Sequence, residues 1–217
     1  MSTDIDLRRL EREAYRSTFQ DGLWDIHLGL LLLGFALAPY IERIGVIRPL
    51  NILPAVVVPM LVLYFGKRRI TIPRIGFVRF GPNRKADKKR LRIISIILFV
   101  VTTVQVILTV TGAFPPAWMV GLGRYSVPII IALFAVLVFS LFAYFRDFPR
   151  LFYIGLLFGC GIMLTEILYS NPGPPLAEFI GYGSPAVLIL AMGMVLLVRF
   201  LRKYPLPDKS EVADVSR

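Results

Sequence analysis

Cysteine and histidine are almost missing from this sequence: Cys160 and His27 are the only examples in 217 residues. A lone cysteine cannot form an intrachain disulfide, so cysteine usage says nothing about redox compartment. One cysteine and one histidine cannot close a zinc site of the Cys/His type, and no metal site is expected. Acids are scarce as well, with 14 Asp and Glu against 25 Lys and Arg and a formal net charge of +11. No hydrolase triad, phosphate-binding glycine loop, zinc-protease helix or nucleotide fingerprint is present. No catalytic residue and no cofactor can therefore be named, and the leading expectation is a non-enzymatic protein. Residues 1–21 carry charge throughout and lack the apolar core of a cleavable signal peptide. The first hydrophobic run is expected to stay in the mature chain as an anchor.

What the sequence has in quantity is apolar surface. Hydrophobic residues make up 56% and the mean hydropathy is +0.70, where soluble domains sit at about 45–50% apolar. The apolar residues come in blocks of about twenty, long enough as helix to cross a hydrocarbon layer of ~30 Å. These blocks predict an all-α polytopic membrane bundle of six transmembrane helices. The spans fall at about 22–41, 48–66, 91–110, 125–145, 151–169 and 179–201. Short connections leave room for one domain. In the first span Gly22, Gly29 and Ala36 recur every seven residues, a small-residue seam that lets another helix approach closely. The second span contains Pro54 and Pro59; it is expected to cross, kinked where proline removes a donor.

The spans could form three helical hairpins of common origin. Pro54, Pro128 and Pro185 would open the second helix of each hairpin, and Pro73, Pro149 and Pro205 would follow its basic end. Proline is also favoured in any first helical turn and just past any helix end, which explains the same pattern without a repeat.

Residues 67–92 orient the whole chain. This stretch carries eleven Lys or Arg and a single acid, Asp87. With it on the cytoplasmic side, only Arg43, Arg48 and Arg124 of the 25 basic residues lie outside. That asymmetry follows the positive-inside bias and predicts a multi-pass protein of the cell membrane with both termini cytoplasmic. It also accounts for the positive charge without nucleic acid, which is not expected as a partner. Residues 70–80 mix apolar side chains with Arg74 and Arg79, and Pro73 and Gly76 argue against continuous helix there. An irregular interfacial segment is expected. Residues 4–20 have helical periodicity, with Leu7, Leu10 and Ala14 on one face and arginines around them. That segment suits an amphipathic helix in the headgroup layer. Residues 202–217 read as a polar cytoplasmic tail.

Ionisable or strongly polar groups inside spans are functional candidates by default, because a charge near the bilayer centre costs ~3 kcal/mol. Asp25, His27, Gln105 and Glu166 meet the description. Asp21 and Asp25 share a helical face, while His27 points roughly the other way. Asp25 could pair with Arg16 or the basic loop, and Glu166 with Arg43, Arg48 or Arg124. For lipid or partner binding the candidates are Arg74, Arg79, Arg84, Lys85, Lys88 and Lys89. The leading reading is a membrane component that engages anionic headgroups, or a partner protein, through this basic loop. A small transporter or channel subunit using Gln105, Glu166 and the proline-broken second span is the alternative, and six spans raise the odds of a homodimer for it. A lipid-modifying enzyme with Asp21, Asp25 and His27 at the inner interface is a third.

Overall fold

The computed structural model describes residues 19–45, 48–75 and 123–205, together with 121 and scattered positions between 90 and 108. The described residues are helical and contain no strand. The helices are α1 (Leu23–Arg43), α2 (Arg48–Gly66), a π-helical turn (Lys67–Thr71), α3 (Ile72–Ile75), α4 (Ser126–Phe145), α5 (Arg150–Leu168) and α6 (Leu176–Lys203). Among the described residues α1, α4, α5 and α6 are long and apolar enough to cross a membrane, with mean hydropathies of 1.5, 2.7, 2.0 and 2.2. The chain is thus a membrane protein with an all-helical fold. Large apolar side chains are exposed along these helices, such as Leu133 at 64% and Val187 at 60%. Such surface suits lipid and would be a liability in water.

The structure divides into two compact units, residues 1–78 with 174–217, and residues 79–173. In the first, α1 packs against both α2 and α6. The seam expected from sequence is present: Gly22 and Gly29 abut Gly193 and Leu190 of α6, and Ala36 meets Gly183. The partners descend as α1 ascends, so the two helices are antiparallel. A second close approach lies on another face, where Gly34 meets Ala55 and Gly66 meets Leu23. The α1–α2 hairpin is therefore antiparallel too. At the far end of α1, Arg43 donates to the Pro174 carbonyl at 3.1 Å. Tyr40 stacks edge-on against Phe179 beside it.

The second unit is built on the α4–α5 hairpin. Gly155 sits against Phe139, and Gly159 against Val136. The turn between the helices is closed by two reversed hydrogen bonds, Phe148 N–H to Ala143 O at 2.9 Å and Asp147 N–H to Tyr144 O at 3.3 Å. This paired geometry needs a left-handed residue after the helix. Asp147 takes that role at φ 51°, a conformation aspartate tolerates better than most side chains. Phe148 is then buried at 3% exposure.

Several expectations need correction. Residues 70–75 are helical, not irregular. Proline at 73 is accommodated because the chain first widens into π winding, where Ile72 N–H bonds the Lys67 carbonyl five residues back. Such a bulge shifts the carbonyl ladder that a proline ring would otherwise strike. Pro185 does not open a helix: α6 begins at Leu176 and carries Pro185 in its interior. The connection between the expected spans at 151–169 and 179–201 is correspondingly shorter, since α6 starts at Leu176. Glu178 falls in the first turn of α6, where an acid complements the helix dipole. The proline pattern thus holds at Pro128, in the first turn of α4, but not at Pro54 or Pro185, which lie inside α2 and α6. The amphipathic helix at 4–20 falls outside the described residues up to position 18, as do residues 111–120 and the tail beyond 205.

A side chain added at Gly193 would lie 2.9 Å from the Ile26 backbone nitrogen, which cannot move aside. Gly193→Val should therefore destabilise the α1–α6 contact by about 1–3 kcal/mol, read as a lower denaturation midpoint in detergent. Gly121→Ala, with open space around it, should leave that midpoint unchanged.

Candidate functional site

The start of α1 and the end of α2 meet because the hairpin is antiparallel. Asp21 stands two residues before α1 and is fully buried. Its Oδ1 accepts the Leu23 N–H at 3.2 Å, which satisfies one of the orphan donors at a helix start. Its Oδ2 accepts the Lys67 ammonium at 2.5 Å and the Thr71 hydroxyl at 2.6 Å. Lys67 and Thr71 bracket the π turn, so one carboxylate ties that turn to the first helix. Asp25, one helical turn on, is also fully buried. Burial pulls the Lys67 pKa below its ordinary value, and the opposing pull of the Asp21 and Asp25 carboxylates does not offset it.

Beside this cluster lies an open cavity of about 720 Å³ between α1 and α2. Trp24, His27 and Leu31 line it from α1, at the i, i+3, i+7 spacing of one helical face. Val56, Met60 and Leu63 line it from α2, and Tyr64, Lys67 and Arg68 carry that side past the helix end. The lining is apolar along most of its length. Its polar side chains, His27, Tyr64, Lys67 and Arg68, stand among Trp24, Leu63 and Ile72. Arg68 donates to the Tyr64 hydroxyl at 3.3 Å. Trp24 packs edge-on against His27 with centroids 5.9 Å apart.

The sequence candidates distribute as follows. Asp25 and His27 are both on α1, Asp25 buried and His27 lining the cavity. Glu166 belongs to the other unit. It pairs with Arg124, whose Nε lies 3.0 Å from Glu166 Oε1. The same guanidinium donates to the Glu166 carbonyl at 3.0 Å and to the Ser170 hydroxyl. Of the three arginines considered, Arg124 is thus the partner, and it joins the start of α4 to the end of α5. Arg74 donates to the Ile70 carbonyl at 3.0 Å, within its own turn. Gln105, Arg79, Arg84, Lys85, Lys88 and Lys89 lie outside the described residues. Among the described residues no group of three or more His, Cys, Asp or Glu could hold a metal ion.

Sequence reasoning did not anticipate Lys67 and Thr71 as the partners of Asp21. A signal was present: an acid just before one span, and a lysine and threonine four residues apart just after the next. Any hairpin brings those positions to the same membrane depth. The cavity had no such signal, because Trp24, Val56 and Met60 read as ordinary span residues.

No protein-family model, curated protein or solved structure matches this chain.

Removing one partner of a buried ion pair leaves a charge without compensation. Asp21→Ala should lower stability by about 3 kcal/mol, measured by denaturant unfolding in detergent. Adding Lys67→Met to that variant should restore part of the loss. Additive losses from the two substitutions would show that the pair is not coupled.

Proposed function

We propose that this chain is a six-span, non-enzymatic protein of the cell membrane whose basic cytoplasmic face engages anionic lipid headgroups. Its spans are the four long apolar helices, the 19-residue α2 and a further helix at about 91–110. Both termini lie in the cytoplasm. The observation that carries this reading is the charge of residues 67–92, eleven cations to one acid, directly after an apolar helix. Each Lys or Arg at an anionic leaflet contributes about 1 kcal/mol, so even partial engagement of the segment binds firmly. Arg68 and Arg69 are exposed at the end of α2, which supports the same surface as a headgroup contact.

Two experiments test it. With the chain in phosphatidylcholine nanodiscs, flotation with phosphatidylglycerol vesicles should fall more than about a hundredfold when Arg74, Arg79, Arg84 and Lys85 are all changed to Gln, from roughly 1 kcal/mol each. Undiminished flotation would overturn the reading and direct attention to a protein partner. In a Cys160→Ser background, single cysteines at Lys85 and Ser216 should be shielded from an impermeant maleimide in intact cells, and one at Gly121 should react. Labelling of Lys85→Cys from outside would reverse the topology.

A further inference from the structure

Three ring side chains line the α1–α2 cavity at nearly one depth. Leu23 packs on Gly66, and Gly34 on Ala55, and these two contacts set the register of the antiparallel hairpin. In that register Trp24 stands opposite Phe65 and His27 opposite Val62, so Tyr64 lies between them, within about 3 Å of helix rise of either. Trp24, His27 and Tyr64 all face the cavity, and Trp24 meets His27 edge-on. From Tyr64 back to Val56, α2 spans about 12 Å at 1.5 Å per residue. Along that stretch the cavity is lined by Leu63, Met60 and Val56. A ring-lined end is thus continued by an apolar length. The volume of about 720 Å³ falls within the ~300–1,000 Å³ of ordinary ligand pockets.

Two polar groups at the ring-lined end lack a partner among the described residues. His27 Nδ1 is buried and makes no hydrogen bond. An imidazole nitrogen either donates or accepts, and buried polar atoms are as a rule bonded. The Tyr64 hydroxyl accepts from Arg68 at 3.3 Å and keeps its own proton to donate. Accepting from a guanidinium polarises the phenol and strengthens that remaining donor. Lys67, held by Asp21, is not needed here.

These features define a ligand. Its long part is hydrocarbon, because Leu31, Val56, Met60 and Leu63 offer nothing polar. Its head is uncharged, because an ion between apolar walls would lose its hydration. The head is flat, because aromatic side chains pack best edge or offset against another ring. It carries an oxygen to accept from Tyr64 and a second polar atom for His27. A glycerolipid ester has the oxygens without the ring, and a fatty acid brings a charge. A long-chain quinone has the planar ring, carbonyl oxygens on opposite edges and the hydrocarbon chain.

We propose that the α1–α2 cavity binds one long-chain quinone, its ring among Trp24, His27 and Tyr64, a carbonyl oxygen accepting from the Tyr64 hydroxyl, and its chain along Met60 and Val56. This goes beyond the function proposed above and uses neither the basic loop nor a lipid headgroup, so either idea can fail alone.

The full-length chain has two tryptophans, Trp24 and Trp118, so Trp118→Phe leaves Trp24 as the reporter. Decylubiquinone added to this delipidated protein in detergent should quench Trp24 emission saturably, at one quinone per chain. Tyr64→Phe, which removes only the hydroxyl, should weaken binding about fivefold, the worth of one hydrogen bond. His27→Phe keeps a ring and should do the same. Val56→Phe should weaken decylubiquinone and spare the chainless ubiquinone-0, since it blocks only the apolar length. Circular dichroism confirms that each variant is folded. Quenching that never saturates and is equal in all variants would mark quinone dissolved in the detergent and overturn the site. Unchanged affinity in both Tyr64→Phe and His27→Phe would overturn the placement of the ring. Displacement of the quinone by an equal concentration of dioleoylglycerol would assign the cavity to an ester-headed lipid instead.

Discussion

One carboxylate holds the first unit in register. Asp21 is fully buried and accepts from the Lys67 ammonium, the Thr71 hydroxyl and the Leu23 amide. A carboxylate so placed would be untenable without these donors, since burying an unpaired charge costs several kcal/mol. Conversely, the donors reach it only if the end of α2 returns beside the start of α1. The ion pair therefore specifies the hairpin as much as it stabilises it. The π turn belongs to the same constraint. It carries Lys67 and Thr71 on the side of Asp21, and its shifted carbonyl ladder allows helix to continue through Pro73.

Packing supplies the rest, and the close helix contacts are made at small residues. α1 meets α6 through Gly22, Gly29, Ala36, Gly183 and Gly193, and α4 meets α5 through Gly155 and Gly159. In lipid there is little hydrophobic gain from burying one apolar side chain against another, so helices associate where backbones come close. This explains the unusual distribution of bulk. Leu133, Leu137, Val187 and Leu188 are all more than half exposed, while Ala36, Ala177 and Ala186 are fully buried. Many large residues thus face outward, while small ones make the closest helix contacts around a few buried large side chains such as Leu32, Ile154 and Ile189.

The cavity is a consequence of both constraints. The glycine contacts at Gly34 and Gly66 bring α1 and α2 together along one line. Beside that line Leu31, Val56 and Met60 leave a cleft. The ion pair then fixes which residues stand at its mouth: Lys67 is held there by Asp21, and Arg68 follows it. The cleft is thus apolar along α1 and α2, with the Asp21–Lys67 ion pair at one end.

The sequence by itself determined the all-helical membrane class, because apolar runs of membrane length leave no other way to satisfy the backbone. It also determined the α1 seam, since small residues every seven positions must fall on one helical face, and it narrowed the partner of Glu166 to three arginines. Only the tertiary structure decided which arginine that was, since all three sit at hairpin ends and their sequence separations are uninformative. The same holds for Asp21: its partners lie 46 and 50 residues away, and the hairpin alone makes them neighbours. Local sequence rules failed at Pro73 and Pro185, where tertiary packing and a π turn carry helix through residues that usually break it. The cavity was invisible in one dimension because a void is defined by what two helices fail to fill together.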